Sequence, residues 1–133
     1  MIMPQYWIKY FQREKFTETL PETKMVKILE EIKQPFIHPC AVDCIDDTGQ
    51  RWTYTLDFRL LPSIDLECRG VVHDNSRTQV QKAAWRRQVL IYNNFRVIDF
   101  DCDLLTRERF HDYCKEKLLE AINSSEKYVR VFA

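Results

Sequence analysis

Two carboxylates stand inside stretches of the sequence that are otherwise typical of buried β-strands. Asp57 lies in TYTLDFRL and Glu67 lies in SIDLECRG. A carboxylate in a buried strand is unfavourable unless it is paired with a positive group or binds a cation. Mg²⁺ and Mn²⁺ accept one or two carboxylates together with carbonyl oxygens and water, and they leave positions open for phosphate oxygens. If the two strands are neighbours, we expect Asp57, Glu67 and the carbonyl oxygen of Cys68 to bind such a metal.

Arg69 follows Glu67 by two residues, so both residues and Asp65 share one face of the predicted strand. Its guanidinium can stabilise the negative charge that builds up on a phosphodiester in the transition state, or it can orient the attacking water. A plainer interpretation is that the strand carboxylates form surface ion pairs with Arg59 and Arg69 and carry no chemistry. Residue types and spacing leave these two interpretations equally open.

The elements that must position these residues follow from the periodicity of apolar side chains and from turn signals. Helices are predicted at 21–33, 78–92 and 106–122, a hairpin from CAVDCI and RWTYTLDFRL, and strands at 64–68, 95–100 and 128–132. The strand, helix and strand between 64 and 100 form a right-handed crossover, so their strands should be parallel. The sequence therefore predicts an α/β fold with a mixed β-sheet flanked by helices, in the order α-β-β-β-α-β-α with a C-terminal edge strand.

The composition limits the class of protein. A length of 133 residues fits a single domain, and 20 Lys and Arg residues balance 20 Asp and Glu residues, so any site for a polyanion must be a local patch. The sequence has no apolar run long enough for a membrane span and no leader pattern at its start. Five cysteines without regular spacing argue against a disulfide framework. We therefore expect a cytoplasmic protein with reduced thiols and no membrane association.

The order of these residues resembles the PD-(D/E)XK nuclease superfamily, and within it the small branch of single-domain endonucleases similar to very-short-patch-repair enzymes. The resemblance rests on Pro21-Glu22, on TYTLDFRLLPSIDLECRGVVH and on RRQVLIYNNFRVIDFDCDLL, and it covers about residues 20–122, with 1–19 as an extension. It implies a restriction-endonuclease-like fold. It also implies a Mg²⁺- or Mn²⁺-dependent endonuclease that hydrolyses phosphodiester bonds in DNA.

The resemblance assigns further roles to individual residues. The helix Glu of the branch falls on Glu22, its strand Asp on Asp57, its second acidic residue on Glu67 and its His on His73, three residues after Gly70. It implies that Glu22 completes the metal shell or orients water, and that His73 activates water or protonates the leaving oxygen. The superfamily typically has Lys where this chain has Arg69. Because Arg keeps its proton, the base must be a metal-bound water or His73.

Cations and tryptophans near the proposed site are candidates for contact with nucleic acid. The cations lie on the helix predicted at 78–92 or directly before it, and they are Arg77, Lys82, Arg86 and Arg87. They can bind a phosphate backbone, although a solvated helix face is the default interpretation of such charges. Trp52 and Trp85 can stack on unpaired bases, but large aromatic residues more often anchor the edge of a core.

Other functions stay open at this stage. His38, Cys40 and Cys44 can contribute to a structural zinc site, but no second pair of ligands accompanies them, so packing is the preferred interpretation. The aromatic and basic segment YWIKYFQREKF can be a DNA clamp, a dimer contact or an added strand. The alternative to an enzyme is a nuclease-like fold that binds nucleic acid or assembles with other proteins without catalysis. A homodimer or a larger DNA-processing complex is compatible with either function.

Overall fold

A five-stranded β-sheet forms the centre of the fold. The computed structural model describes residues 19–69 and 77–131. In chain order, the elements are α1 (Leu20–Glu31), β1 (Phe36–Ile37), β2 (Cys40–Ile45), β3 (Arg51–Leu56), β4 (Phe58–Leu60), β5 (Ile64–Arg69), α2 (Arg77–Tyr92), β6 (Arg96–Asp101), a 3-10 turn (Glu108–Phe110), α3 (His111–Asn123) and β7 (Tyr128–Val131). None of the described helices is long and apolar enough to cross a membrane.

Helix α1 begins at a capping box. The backbone N–H of Glu22 donates to the hydroxyl of Thr19, and the Glu22 carboxylate accepts from the Thr19 hydroxyl and backbone N–H. These bonds satisfy donors that the first turn of a helix otherwise leaves unpaired. Pro21 occupies the same turn, where its missing N–H costs nothing. The cap fixes the position of Glu22, and its second carboxylate oxygen faces His38.

The hairpin that begins with β1 divides between two sheets. Its register is continuous, because Ile37 pairs with Arg59 and Cys40 pairs with Leu56. Between these two pairs a proline, which has no N–H, stands opposite Asp57, and the ladder is interrupted there. The inner half joins the main sheet as β1 and β4, and the outer half forms a two-stranded sheet of β2 and β3. The single strand predicted for RWTYTLDFRL is therefore wrong, since it breaks at Asp57.

The main sheet is mixed and has the strand order β1-β4-β5-β6-β7. Strand β4 is antiparallel to β1 and β5, whereas β5, β6 and β7 are parallel to one another. The predicted crossover is confirmed as β5-α2-β6, and the predicted C-terminal edge strand is confirmed as β7. The helix predicted at 106–122 begins later than expected, at His111, because a 3-10 turn precedes it.

The two faces of the main sheet carry different side chains. Leu66 and Ile98 face α1 and α3 and belong to a core that these helices close. On the opposite face, Val97 packs with Leu90 of α2 and with side chains of the hairpin. Because side chains alternate along a strand, Glu67 next to Leu66 faces the α2 side. The polar residues of β5 and β6 therefore point into the space between the sheet, α2 and the hairpin.

Candidate metal centre and cleft

Asp57 lies at the bend of the hairpin, beside β5. Strand β4 pairs Phe58 with Leu66, so a straight strand would continue with Leu56 opposite Cys68. Since β3 turns away, the Asp57 side chain takes that place, and its Oδ2 accepts the backbone N–H of Cys68 at 3.0 Å. The bend therefore fixes the Asp57 carboxylate against the carboxyl-terminal half of β5.

The carboxyl groups of Asp57 and Glu67 lie close enough together to affect each other's pKa. Burial and then the negative charge of Glu67 raise the pKa of Asp57 to about 8. Burial and then the charge of Asp65 likewise raise the pKa of Glu67. A divalent cation stabilises two neighbouring carboxylates that repel each other in such a partly desolvated place.

Asp65 is a third carboxylate on the same face of β5. Its side chain is fully buried, and its Oδ1 has no hydrogen-bond partner among the residues that the structure describes. Burial raises the pKa of Asp65 to about 6. In the sequence, its only signal is the two-residue spacing to Glu67. We refer to Asp57, Asp65 and Glu67 as the carboxylate cluster.

Arg86 of α2 reaches into the carboxylate cluster. Its Nη2 donates to Glu67 Oε1 and, at 3.2 Å, to the backbone carbonyl of Thr55. Its Nη1 lies 3.4 Å from Asp65 Oδ2, and the guanidinium carbon lies 5.6 Å from the centroid of the Tyr54 ring. Arg86, which the sequence suggests as a phosphate contact, is thus placed in ion pairs with the site itself.

Asp99 of β6 holds two arginines next to the carboxylate cluster. Arg69 Nε lies 3.1 Å from Asp99 Oδ1, and Arg87 Nη1 lies 3.9 Å from Asp99 Oδ2. The Tyr128 hydroxyl donates to the same Oδ2 at 2.9 Å, and the Arg87 guanidinium carbon lies 4.2 Å from the Tyr128 ring centroid. Arg69 shares the face of Glu67, as its spacing predicts, but Asp99 fixes its orientation.

Glu22 is connected to Asp57 through the buried ring of His38. The Nδ1 of His38 is hydrogen-bonded to the Asp57 backbone carbonyl and carries the hydrogen, because a carbonyl can only accept. The Nε2 lies 3.8 Å from Glu22 Oε2, and the ring stacks on Phe58 with centroids 3.9 Å apart. His38 therefore holds the backbone of Asp57 at the bend. In the sequence, the only signal for this role is a histidine directly before a proline, between two strands.

The zinc site predicted at His38, Cys40 and Cys44 and the Mg²⁺ site predicted at Asp57 and Glu67 need different numbers of ligands. Cys40 and Cys44 are buried on β2 and pack in the core beside α2. Within the described ranges, no group of three or more His, Cys, Asp and Glu side chains has the arrangement of a metal site. Zinc in proteins takes four such ligands, so the packing interpretation is preferred. Mg²⁺ needs only one or two carboxylates with carbonyls and waters, which the pair of Asp57 and Glu67 fits.

The remaining predicted residues are placed as follows. The Cys68 side chain packs against the core, so its backbone alone lies beside the two carboxylates. Lys82 lines the cleft described next, whereas Arg77 is exposed at the start of α2 and is not among the lining residues. Gly70, His73 and the aromatic N-terminal segment lie outside the described residues.

An open cleft of about 1000 Å³ lies between α2, β3, β5 and β7, with Glu67 on its wall. Its lining is cationic, because basic residues outnumber acidic ones. The five basic residues are Arg69, Lys82, Arg86, Arg87 and Arg130, and the two acidic residues are Glu67 and Asp99. The whole chain has equal numbers of basic and acidic residues. The cleft is therefore a local positive patch that suits a polyanion, which is the only kind of polyanion site that a chain of balanced charge can have.

Aromatic side chains form the wall of the cleft at the hairpin. The rings of Trp52 and Tyr54 are stacked, with centroids 6.2 Å apart, and Trp85 meets Trp52 edge to face at 6.0 Å. The indole N–H of Trp52 donates to Asp46 at the hairpin turn. Trp52 and Trp85 thus join the hairpin to α2, and Trp85 remains partly exposed to the cleft.

Comparison with known proteins concerns the fold. The sequence matches no family model and no curated protein. The structure is similar to the solved Homing Endonuclease I-Bth0305I Catalytic Domain, with a TM-score of 0.56 and 22% sequence identity, over 77% of this chain and 92% of that domain. The chain has a nuclease-like fold. The predicted restriction-endonuclease-like class is confirmed, while the branch similar to very-short-patch-repair enzymes stays a prediction.

Proposed function

We propose that this chain is a Mg²⁺- or Mn²⁺-dependent DNA endonuclease of the PD-(D/E)XK type, in the branch similar to very-short-patch-repair enzymes. One observation carries the proposal: Asp57 at the hairpin bend and the buried Glu67 of β5 lie so close together that the charge of Glu67 raises the pKa of Asp57, and both stand beside a cationic cleft. A structural core gains nothing from two repelling carboxyls, whereas a divalent cation resolves the repulsion and brings phosphate oxygens to the same place.

The residues around the pair have separate tasks in this proposal. Asp57 and Glu67 hold the metal, with the Cys68 carbonyl beside them, and His38 and the Cys68 N–H keep Asp57 in position. When bound, the metal supplies Lewis-acid polarisation of the phosphodiester and a water of lowered pKa. Arg69, fixed by Asp99, stabilises the negative charge that grows on the phosphate.

Three further tasks rest on the sequence resemblance or on the cleft. Glu22 assists the site through its position next to His38. His73 is assigned proton transfer from the sequence alone. Lys82 and Arg87 line the cleft and bind the DNA backbone. The polyanion is DNA in this proposal, and its form, duplex, branched or single-stranded, is left to the assay.

The test measures metal-dependent cleavage of duplex, branched and single-stranded DNA. Asp57→Asn and Glu67→Gln should each lower the rate by at least about 100-fold, because each removes a charged metal ligand while keeping the side-chain shape. Asp43→Asn is the matched control, since Asp43 is exposed on β2 and its Oδ1 accepts from the Thr53 hydroxyl. Equal cleavage by the two site variants and the control would refute the assignment.

The second candidate function is a nuclease-like fold that binds nucleic acid without catalysis. The ion pair of Arg69 with Asp99 favours it, because a cation already held by a carboxylate is less available to a phosphate. In that case the wild-type chain would bind DNA with a strong salt dependence and cleave none of the three DNA forms in Mg²⁺ or Mn²⁺.

A further inference from the structure

The carboxylate cluster has a built-in positive charge, supplied by Arg86. Its side chain is 21% exposed, and its guanidinium contacts Glu67 Oε1 and Asp65 Oδ2. The neighbouring arginines, Arg69 and Arg87, are held by Asp99 instead. Arg86 therefore provides the direct ion pairs of the cluster among the described residues.

Simultaneous binding of a divalent cation and of Arg86 to Glu67 is electrostatically unfavourable. A metal between Asp57 and Glu67 would lie close to the guanidinium, and two positive charges in such a site repel each other. Arg86 already holds Oε1 of Glu67, so the guanidinium and a metal would compete for the negative charge of this carboxylate.

Arg86 keeps other partners when it releases Glu67. The carbonyl of Thr55 accepts from Nη2 at 3.2 Å, Asp65 Oδ2 lies 3.4 Å from Nη1, and the guanidinium lies over the face of Tyr54. These contacts lie on the hairpin and at the start of β5. The side chain can therefore move by a small distance without becoming an unpaired buried charge.

We propose that Arg86 is an internal counter-cation that holds Glu67 while no divalent cation is bound and releases it when one binds. Arg86 thereby sets the metal concentration at which the site fills. The inference rests on the proposed function, because it takes Asp57 and Glu67 as the metal ligands.

The first experiment is a calorimetric titration of the DNA-free chain with Mn²⁺. Arg86→Gln removes the competing charge, so its Kd for Mn²⁺ should fall by about tenfold. Arg87→Gln is the matched control, one position along the same helix with Asp99 as its partner, and its Kd should stay within about twofold of wild type. An unchanged or raised Kd for Arg86→Gln would overturn the proposal.

The second experiment uses the wild-type chain and does not depend on the folding of a variant. In a spectrum of ¹⁵N-labelled arginine side chains, the Arg86 Nε resonance should shift during a Mg²⁺ titration. The resonance of Arg96, whose guanidinium donates to the carbonyls of Ala121 and Ile122, should not shift. A fixed Arg86 signal during saturable Mg²⁺ binding would contradict the release of Glu67.

The two proposals fail differently. If wild type binds Mn²⁺, Asp57→Asn abolishes binding and Arg86→Gln changes nothing, then the metal site stands and the role of Arg86 is overturned. If wild type and both arginine variants bind no Mn²⁺, the metal site itself is refuted, and the role of Arg86 falls with it.

Discussion

Asp57→Asn should change how the stability of the metal-free chain depends on pH. The pKa of Asp57 is raised from 3.8 to about 8 by burial and by the charge of Glu67. At a pH above the ordinary pKa of 3.8, Asp57 loses its proton in the unfolded chain but keeps it in the folded chain. Folding therefore binds a proton, and the free energy of unfolding falls as the pH rises through the window between these two values.

The magnitude follows from the size of the shift. Within the window, one group that is protonated only when folded lowers the free energy of unfolding by about 1.4 kcal/mol per pH unit. From about pH 5 to about pH 7, the loss is therefore about 3 kcal/mol, a large part of the stability of a small domain. An asparagine does not titrate, it can donate to Glu67, and its oxygen can still accept the Cys68 N–H. The variant should lose this part of the slope.

Urea unfolding in the presence of a chelator measures this slope. Tryptophan fluorescence at about pH 5, 6 and 7 gives the free energy of unfolding of wild type, of Asp57→Asn and of the surface control Asp43→Asn. Wild type and the control should share one pH slope, and Asp57→Asn should be flatter by about 1 kcal/mol per pH unit. Identical slopes for all three chains would refute the raised pKa of Asp57.

Three further predictions concern the metal and the cleft. Mg²⁺ at about 100 times its Kd should stabilise wild type against unfolding by about 2.7 kcal/mol and leave Glu67→Ala unchanged, which a thermal denaturation series with and without Mg²⁺ measures. Arg69→Lys should retain part of the cleavage rate, whereas Arg69→Ala should lose turnover but bind DNA nearly as well as wild type. Cleavage rates and DNA affinities measured in parallel test this role of Arg69, and equal losses of rate and affinity would contradict it. Lys82→Ala should weaken DNA binding uniformly across sequences and reduce the slope of log affinity against log salt by about one, and an unchanged slope would remove Lys82 from the interface.

The sequence predicts most of the fold because the apolar periodicity is strong. The first helix, the crossover around α2 and the edge strand β7 all appear as expected. The division of the hairpin was not predictable from alternation, which continues through Asp57 without a change. The bend depends on which of two sheets each half of the hairpin joins, and that choice is made by packing against α2 and β5.

The candidate site was predictable in part. The convergence of Asp57 and Glu67 follows from strand neighbours and alternation. The position of Arg86 does not, because a basic residue on a helix looks like a solvated surface residue until the helix is docked. Asp65 and Asp99 are similarly hidden, since a single acidic residue in a strand does not reveal which face is buried. Their partners come from elements distant in the sequence.

The backbone amide of Cys68, in the central sheet, is hydrogen-bonded to the side chain of Asp57 and not to a neighbouring strand. In a backbone ladder, an amide exchanges its hydrogen with solvent only when the strands separate. At Cys68, withdrawal of the Asp57 carboxylate is enough to open the amide while β4 and β5 stay paired. The hydrogen-exchange rate of this single amide thus reports how often the Asp57 carboxylate leaves its position, and it can be measured without a variant, a substrate or a dye.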